Sequence, residues 1–180
     1  MKRLVTVVLV VGVIFAAEGY HILNKIKIGS ITRREYLSVD SAAHRLYATH
    51  GTLVDVVDLN AGKPIGSIPQ LHNAHHVALV PELNKGFITN GQSNSVTIFD
   101  LKTLAKIGEP AAGMNPDNIC FEPRTQRIFV FNGRSNDSTV IDAKTGEPLN
   151  TFTVGGEPES CVADRAGKLY VNLEDKGAIA

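Results

Sequence analysis

Short runs in which large apolar side chains alternate with polar or small ones recur along most of the chain, as in RIFVFN (127–132) and KLYVNL (168–173). A period of two places one set of side chains on one face of an extended strand, so these runs predict half-buried β-strands. In the best-defined stretch four strands follow one another: Asn118–Glu122, Arg127–Asn132, Ser138–Asp142 and Pro148–Val154. All are rich in Val, Ile, Phe and Thr, which suit a pleated and packed surface. Between them stand turn residues. Asn90-Gly91 and Asn132-Gly133 predict reversals with positive φ, and Asp142-Ala-Lys-Thr-Gly146 marks another. Beyond residue 19 no segment sustains a helical period with a capped start, so almost no helix is expected.

The strands repeat. DVVDLNAGKP, TIFDLKTLAK and TVIDAKTGEP carry Asp58, Asp100 and Asp142, spaced 42 and 42 residues apart. A second series, RLYATH, KGFITN, RIFVFN and KLYVNL, carries Tyr47, Phe87, Phe129 and Tyr170 at spacings of 40, 42 and 41. Four short strands per period of about 42 residues predict an all-β β-propeller, whose four-stranded antiparallel blades bury their faces only against their neighbours. The units run over about 30–70, 71–112, 113–155 and 156–180. Residues 20–29, containing HILNKIKI (21–28), read as a strand that completes another blade.

Composition adds a compartment and removes some partners. Lys2 and Arg3 precede an uncharged run from Leu4 to Phe15, and Ala16, Ala17 and Gly19 follow. That pattern predicts a signal peptide over 1–19, cleaved after Gly19, and hence a periplasmic or secreted protein; the alternative is an uncleaved anchor. Apolar residues make up 43%, as in a globular domain, and the 18 basic residues are balanced by 18 acidic ones. Such a balance offers no support for a nucleic-acid partner, and no membrane span is expected once the signal is removed. Cys120 and Cys161 fit an oxidising compartment. Yet Cys120 aligns with Val162 and Cys161 with Ile119, one register apart on neighbouring strands. Opposite faces, and therefore two unbridged thiols, are expected.

YATH (47–50), FITN (87–90) and FVFN (129–132), each followed by a strand like TIFD, resemble the YVTN-repeat β-propeller family. The resemblance covers nearly all of residues 20–180. It implies a propeller of about seven blades, usually exported in bacteria, and no single activity, because the fold hosts many. Seven blades at this period need about 300 residues, so a partial propeller is expected. The competing expectation is a closed four-bladed ring in which His21–Ile28 supplies the last strand of the fourth unit.

Propeller ligands sit where the innermost strands begin and loops converge. Register places Glu35, His75, Asp117 and Glu159 at one equivalent position there, and Tyr36, His76, Asn118 and Ser160 at the next. Glu35, His75, His76, Asp117, Asn118 and Glu159 are therefore the candidate ligand-binding residues. Carboxylates beside a histidine resemble a hard-cation or mixed metal set, against the plainer reading of polar residues around a water-filled mouth. His72, His75 and His76 are the densest histidine group. Adjacent His75 and His76 on a strand point apart and do not share one ion easily. The repeated aspartates, with Asn90 and Asn132, are read as turn residues. These features predict an exported, non-catalytic binding or scaffold module that presents a rim or channel mouth to a protein or small-molecule ligand. The alternative is a metal-assisted, lactonase-like hydrolase or a dehydrogenase at the same mouth. The sequence specifies no cofactor.

Overall fold

The computed structural model of the chain describes residues 20–29 and 35–180. Fifteen strands form four antiparallel sheets in sequence order, β1-β2-β3-β4, β5-β6-β7-β8, β9-β10-β11-β12 and β13-β14-β15. The first blade holds β1 (Leu37–Asp40), β2 (Arg45–His50), β3 (Leu53–Asp58) and β4 (Lys63–Ile68). The second holds β5 (Ala74–Val80), β6 (Lys85–Asn90), β7 (Ser95–Asp100) and β8 (Lys106–Gly108). The third holds β9 (Pro116–Glu122), β10 (Arg127–Asn132), β11 (Asp137–Asp142) and β12 (Pro148–Thr153). The fourth holds β13 (Pro158–Ala163), β14 (Leu169–Leu173) and the two-residue β15 (Ala178–Ile179). Among the described residues helix is confined to the 3₁₀ turns Pro81–Leu83 and Glu174–Lys176. These sheets are blades of a propeller, stacked in chain order along β1, β5, β9 and β13.

The core lies between blades, as the period-two pattern requires. Tyr47, Val54, Val56 and Ile68 of the first blade meet Val77, Ile88 and Phe99 of the second. The second blade presents its other face, with Ala78, Val80, Phe87, Val96 and Ile98, to Ile119, Ile128, Val130 and Ile141 of the third. Each junction thus joins the front of one blade to the back of the next. Successive residues of one strand serve successive junctions.

Turn chemistry is repeated with the blades. Asp58 Oδ1 accepts the Asn60 and Ala61 amides, Asp100 Oδ1 those of Lys102 and Thr103, and Asp142 Oδ1 those of Lys144 and Thr145. Asp40 and Glu122 do the same after the innermost strands of their blades. The aspartates are turn residues, as the spacing indicates. Asn90-Gly91 and Asn132-Gly133 differ from expectation, since the positive φ falls instead on Asn94 (54°) and Asn136 (57°). Both hairpins close through four residues, after the last pairs Asn90↔Ser95 and Asn132↔Asp137. The asparagines act through buried amides instead: Asn90 Nδ2 donates to Thr97 Oγ1 at 2.9 Å, and Asn132 Nδ2 donates to Asp137 Oδ1 at 2.7 Å. Gly91 is there for space, because a Cβ would lie 2.6 Å from His75 Nε2.

Two further expectations are corrected. Residues 20–29 form no strand and do not pair with β15, so the four-bladed closure is not found among the described residues. Ile26 and Ile28 instead lie over Leu37, Leu46, Ala48 and Val57, the back of the first blade. That apolar face has no preceding blade among the described residues, and two isoleucines shield it. At the end of this segment Gly29 approaches the buried His50–Asp55 pair (Nε2···Oδ2 2.7 Å) so closely that a Cβ would lie 2.6 Å from His50 Cε1.

Cys120 and Cys161 form a disulfide across the third and fourth blades, with Cα atoms 6.3 Å apart. The sequence alignment of the two cysteines is right, since Cys120 pairs with Phe129 as Val162 pairs with Tyr170. The inference from it is wrong. Ile119 packs backward on the second blade, so Cys120 points forward. Cys161, equivalent to Ile119, points backward and packs near Phe129. Opposite faces are what bring two side chains together when front meets back.

Candidate functional site

A local irregularity recurs at the start of the innermost strands. Register shifts fall between Ala74 and Val77 in β5, opposite Phe131 and Asn132 in β9, and between Pro158 and Cys161 in β13. Each is a β-bulge carrying His75-His76, Asp117 or Glu159-Ser160. An extra residue in one strand bends it and re-aims side chains, here toward the mouth shared by the blades. Threonines lock the bulged backbone to the preceding blade. Thr49 Oγ1 donates to the His75 carbonyl (2.6 Å), and Thr89 Oγ1 to the Asp117 carbonyl (2.9 Å) while accepting the His76 amide (3.0 Å).

The three bulges, together with Tyr36 just before β1, assemble one chain of contacts from four blades. Asn73 Nδ2 lies 2.7 Å from His75 Nε2, and His75 Nδ1 lies 2.7 Å from Asp117 Oδ1. Asp117 and Glu159 are joined carboxyl to carboxyl, and Tyr36 Oη donates to Glu159 Oε1 at 3.1 Å. The Tyr36 and His76 rings stand 4.8 Å apart, centroid to centroid, at 37°. Asn118, almost fully buried, lies beside both Tyr36 and His76. His76 Nδ1 is buried and has no hydrogen-bond partner among the described residues.

Charge is concentrated here in a partly desolvated setting. Burial, then the Glu159 and Asp117 charges, push the Tyr36 hydroxyl up to about 12. Burial, then the Asp117 carboxylate, raises Glu159 above the ordinary carboxylate range. Glu159 therefore keeps its proton to a higher pH than an isolated glutamate would. Burial lowers His76, opposed by the neighbouring Asn118 and by Asp117, and favours the neutral imidazole. The result is a compact array of donors and acceptors.

Five of the six candidate residues, His75, His76, Asp117, Asn118 and Glu159, come together. Glu35 lies elsewhere, lining a cavity of about 280 Å³ with Ile26, Ile28 and Leu37 on the back of the first blade. Among the described residues no three His, Cys, Asp or Glu side chains converge as a metal-holding set. His75 and His76 reach different partners, and His72 is exposed. Tyr36 is central to the site although its phenol carries no metal-like signal in sequence. The threonines of YATH and FITN are the signal that could have revealed the locks.

No family model and no curated protein matches the chain. Solved structures do. Hydrazine synthase from Kuenenia stuttgartiensis superposes with a TM-score of 0.75 at 20% identity, over 89% of this chain and 47% of that one. A functionally unknown protein from Desulfotomaculum acetoxidans gives 0.70 at 20% identity, over 82% and 54%. The WD40 β-propeller domain of Doa1 gives 0.67 at 12% identity, over 82% and 48%. Identities this low establish the fold alone. The chain spans about half the length of each of these structures.

Proposed function

We propose that the chain is an exported, YVTN-type propeller module that binds a protein or small-molecule ligand at the mouth built by Tyr36, His75, His76, Asp117, Asn118 and Glu159. The observation that carries this reading is the convergence of side chains from all four blades on one hydrogen-bonded array at the start of the innermost strands. His75, His76, Asp117 and Glu159 reach it from β-bulges, which are over-represented next to active sites, while Tyr36 and Asn118 reach it without one. The propeller fold is compatible with binding and scaffolding. A disulfide favours an oxidising compartment and so supports export; the leader itself lies outside the described residues. Among those residues no helix is long and apolar enough to cross a membrane.

The test uses immobilised protein and soluble extract. A ligand of the mouth is retained by the native chain and at least about tenfold less by Tyr36→Phe and Glu159→Gln, a loss of about 1.4 kcal/mol. Equal retention on all three places binding elsewhere. Retention of nothing across salt and pH counts against a binding module.

A further inference from the structure

The blade junctions are not fastened alike at the mouth. At the first, Thr49 donates its hydroxyl to the backbone of His75, and at the second Thr89 donates to that of Asp117. At the third the equivalent residue, opposite Ser138 in the ladder as Thr89 is opposite Val96, is Phe131, which has no hydroxyl. Among the described residues, Phe131, Val171 and Leu173 form the buried apolar core of the third junction, whose fourth-blade side consists of β13, β14 and the two-residue β15. Besides the Asp117–Glu159 contact and the bond that Arg124 Nη1 donates to the Ala166 carbonyl (2.8 Å), two links lie close to the mouth at this junction. One is the Cys120–Cys161 disulfide, and the other is Asn118 Oδ1, which accepts the Cys161 amide at 3.3 Å. Cys120 lies three residues beyond Asp117 and Cys161 two residues beyond Glu159. The covalent bridge therefore ties together the two strands that carry the joined carboxyls.

We infer that Cys120 and Cys161 are positioning residues for Glu159, and that the mouth array is redox-dependent, assembled while their disulfide stands and dismantled when an external dithiol opens it. In that step a dithiol thiolate attacks Cys161 Sγ, the more accessible sulfur, and Cys120 leaves as thiolate. The second dithiol sulfur then displaces Cys161. Two electrons and two protons pass to the protein, giving two cysteine thiols, and the reagent leaves as its own disulfide. The fourth blade is then held at the mouth by the 3.3 Å Asn118 bond and the apolar seam, and Glu159 moves away from Tyr36 and Asp117.

The experiment compares the oxidised full-length chain with the same chain treated with dithiothreitol, and with Cys161→Ser. One readout is tyrosinate absorbance against pH, with Tyr36→Phe distinguishing the Tyr36 step from that of the buried Tyr47, and the other is amide exchange by segment; neither needs a ligand, so the binding proposal keeps its own separate test. Reduction and Cys161→Ser should each bring the Tyr36 titration down from about 12 toward its ordinary 10.0. Exchange should quicken at least about tenfold in β13–β15 while β1–β8 keep their protection. An unchanged Tyr36 titration in protein shown to carry two free thiols overturns the inference. So does faster exchange throughout all four blades, which would make the bridge a general staple and not a positioning device.

Discussion

Asp58, Asp100 and Asp142 show how one residue type can recur for a purely structural reason. Each carboxylate accepts two backbone amides of the turn that follows it. For Asp142 the Thr145 amide, and then Arg127, hold the carboxyl below its ordinary 3.8. A depressed native value means that the carboxylate stabilises the fold above 3.8 and that this contribution is lost as pH falls through the lower native value. Asp142→Ala should therefore lower the urea midpoint at pH 7, and the gap to the native chain should narrow in acid. An equal gap at both pH values would show that the turn bonds are not the cause. Gly29 makes the complementary point about space. Its φ of 28° and its approach to His50 leave no room for a methyl group, so Gly29→Ala should release residues 20–29 from the first blade. Limited proteolysis would register faster cleavage within that segment, with the blades left intact.

At the scale of strands and blades, the threonine locks carry a quantitative expectation. Thr89 is fully buried, and Thr89→Val removes the hydroxyl that satisfies the Asp117 carbonyl and the His76 amide. The cost should be about 1–3 kcal/mol in chemical unfolding, with Thr49→Val similar; a cost near zero would mean that the junctions do not depend on these bonds. Much of this level was legible in sequence. The period placed the strands within a residue or two, and the aligned register brought His75, Asp117 and Glu159 to one end. Relations between sheets were not legible. Alternation along one strand reports which side chains share a face, but not that the front of one blade meets the back of the next, and so the Cys120–Cys161 bridge was misjudged. Bulges escape for a similar reason, since an extra residue is visible only against the partner strand. HILNKIKI has the composition of a strand, yet its isoleucines are used to cover an apolar face, where no ladder is needed.

For the molecule as a whole, the account rests on an arc of four stacked blades whose innermost strands bring separate repeats to one mouth. Tyr36 and Glu159 are 123 residues apart in sequence and share a hydrogen bond there. This long-range contact also makes the mouth sensitive to alkali. The Tyr36 hydroxyl is raised above 10.0 by burial and by the Glu159 charge, so its share of stability is intact below 10.0 and is lost as pH climbs through about 12. The most direct test is a tyrosinate titration of the native chain beside Glu159→Gln, with Tyr36→Phe assigning the Tyr36 step, because burial raises Tyr47 as well. The account predicts Tyr36 near 12 in the native chain and a fall of that value toward 10.0 in Glu159→Gln, burial keeping part of the shift. A Tyr36 that titrates in the ordinary range, or one that is raised but indifferent to Glu159, would contradict the mouth as it is described.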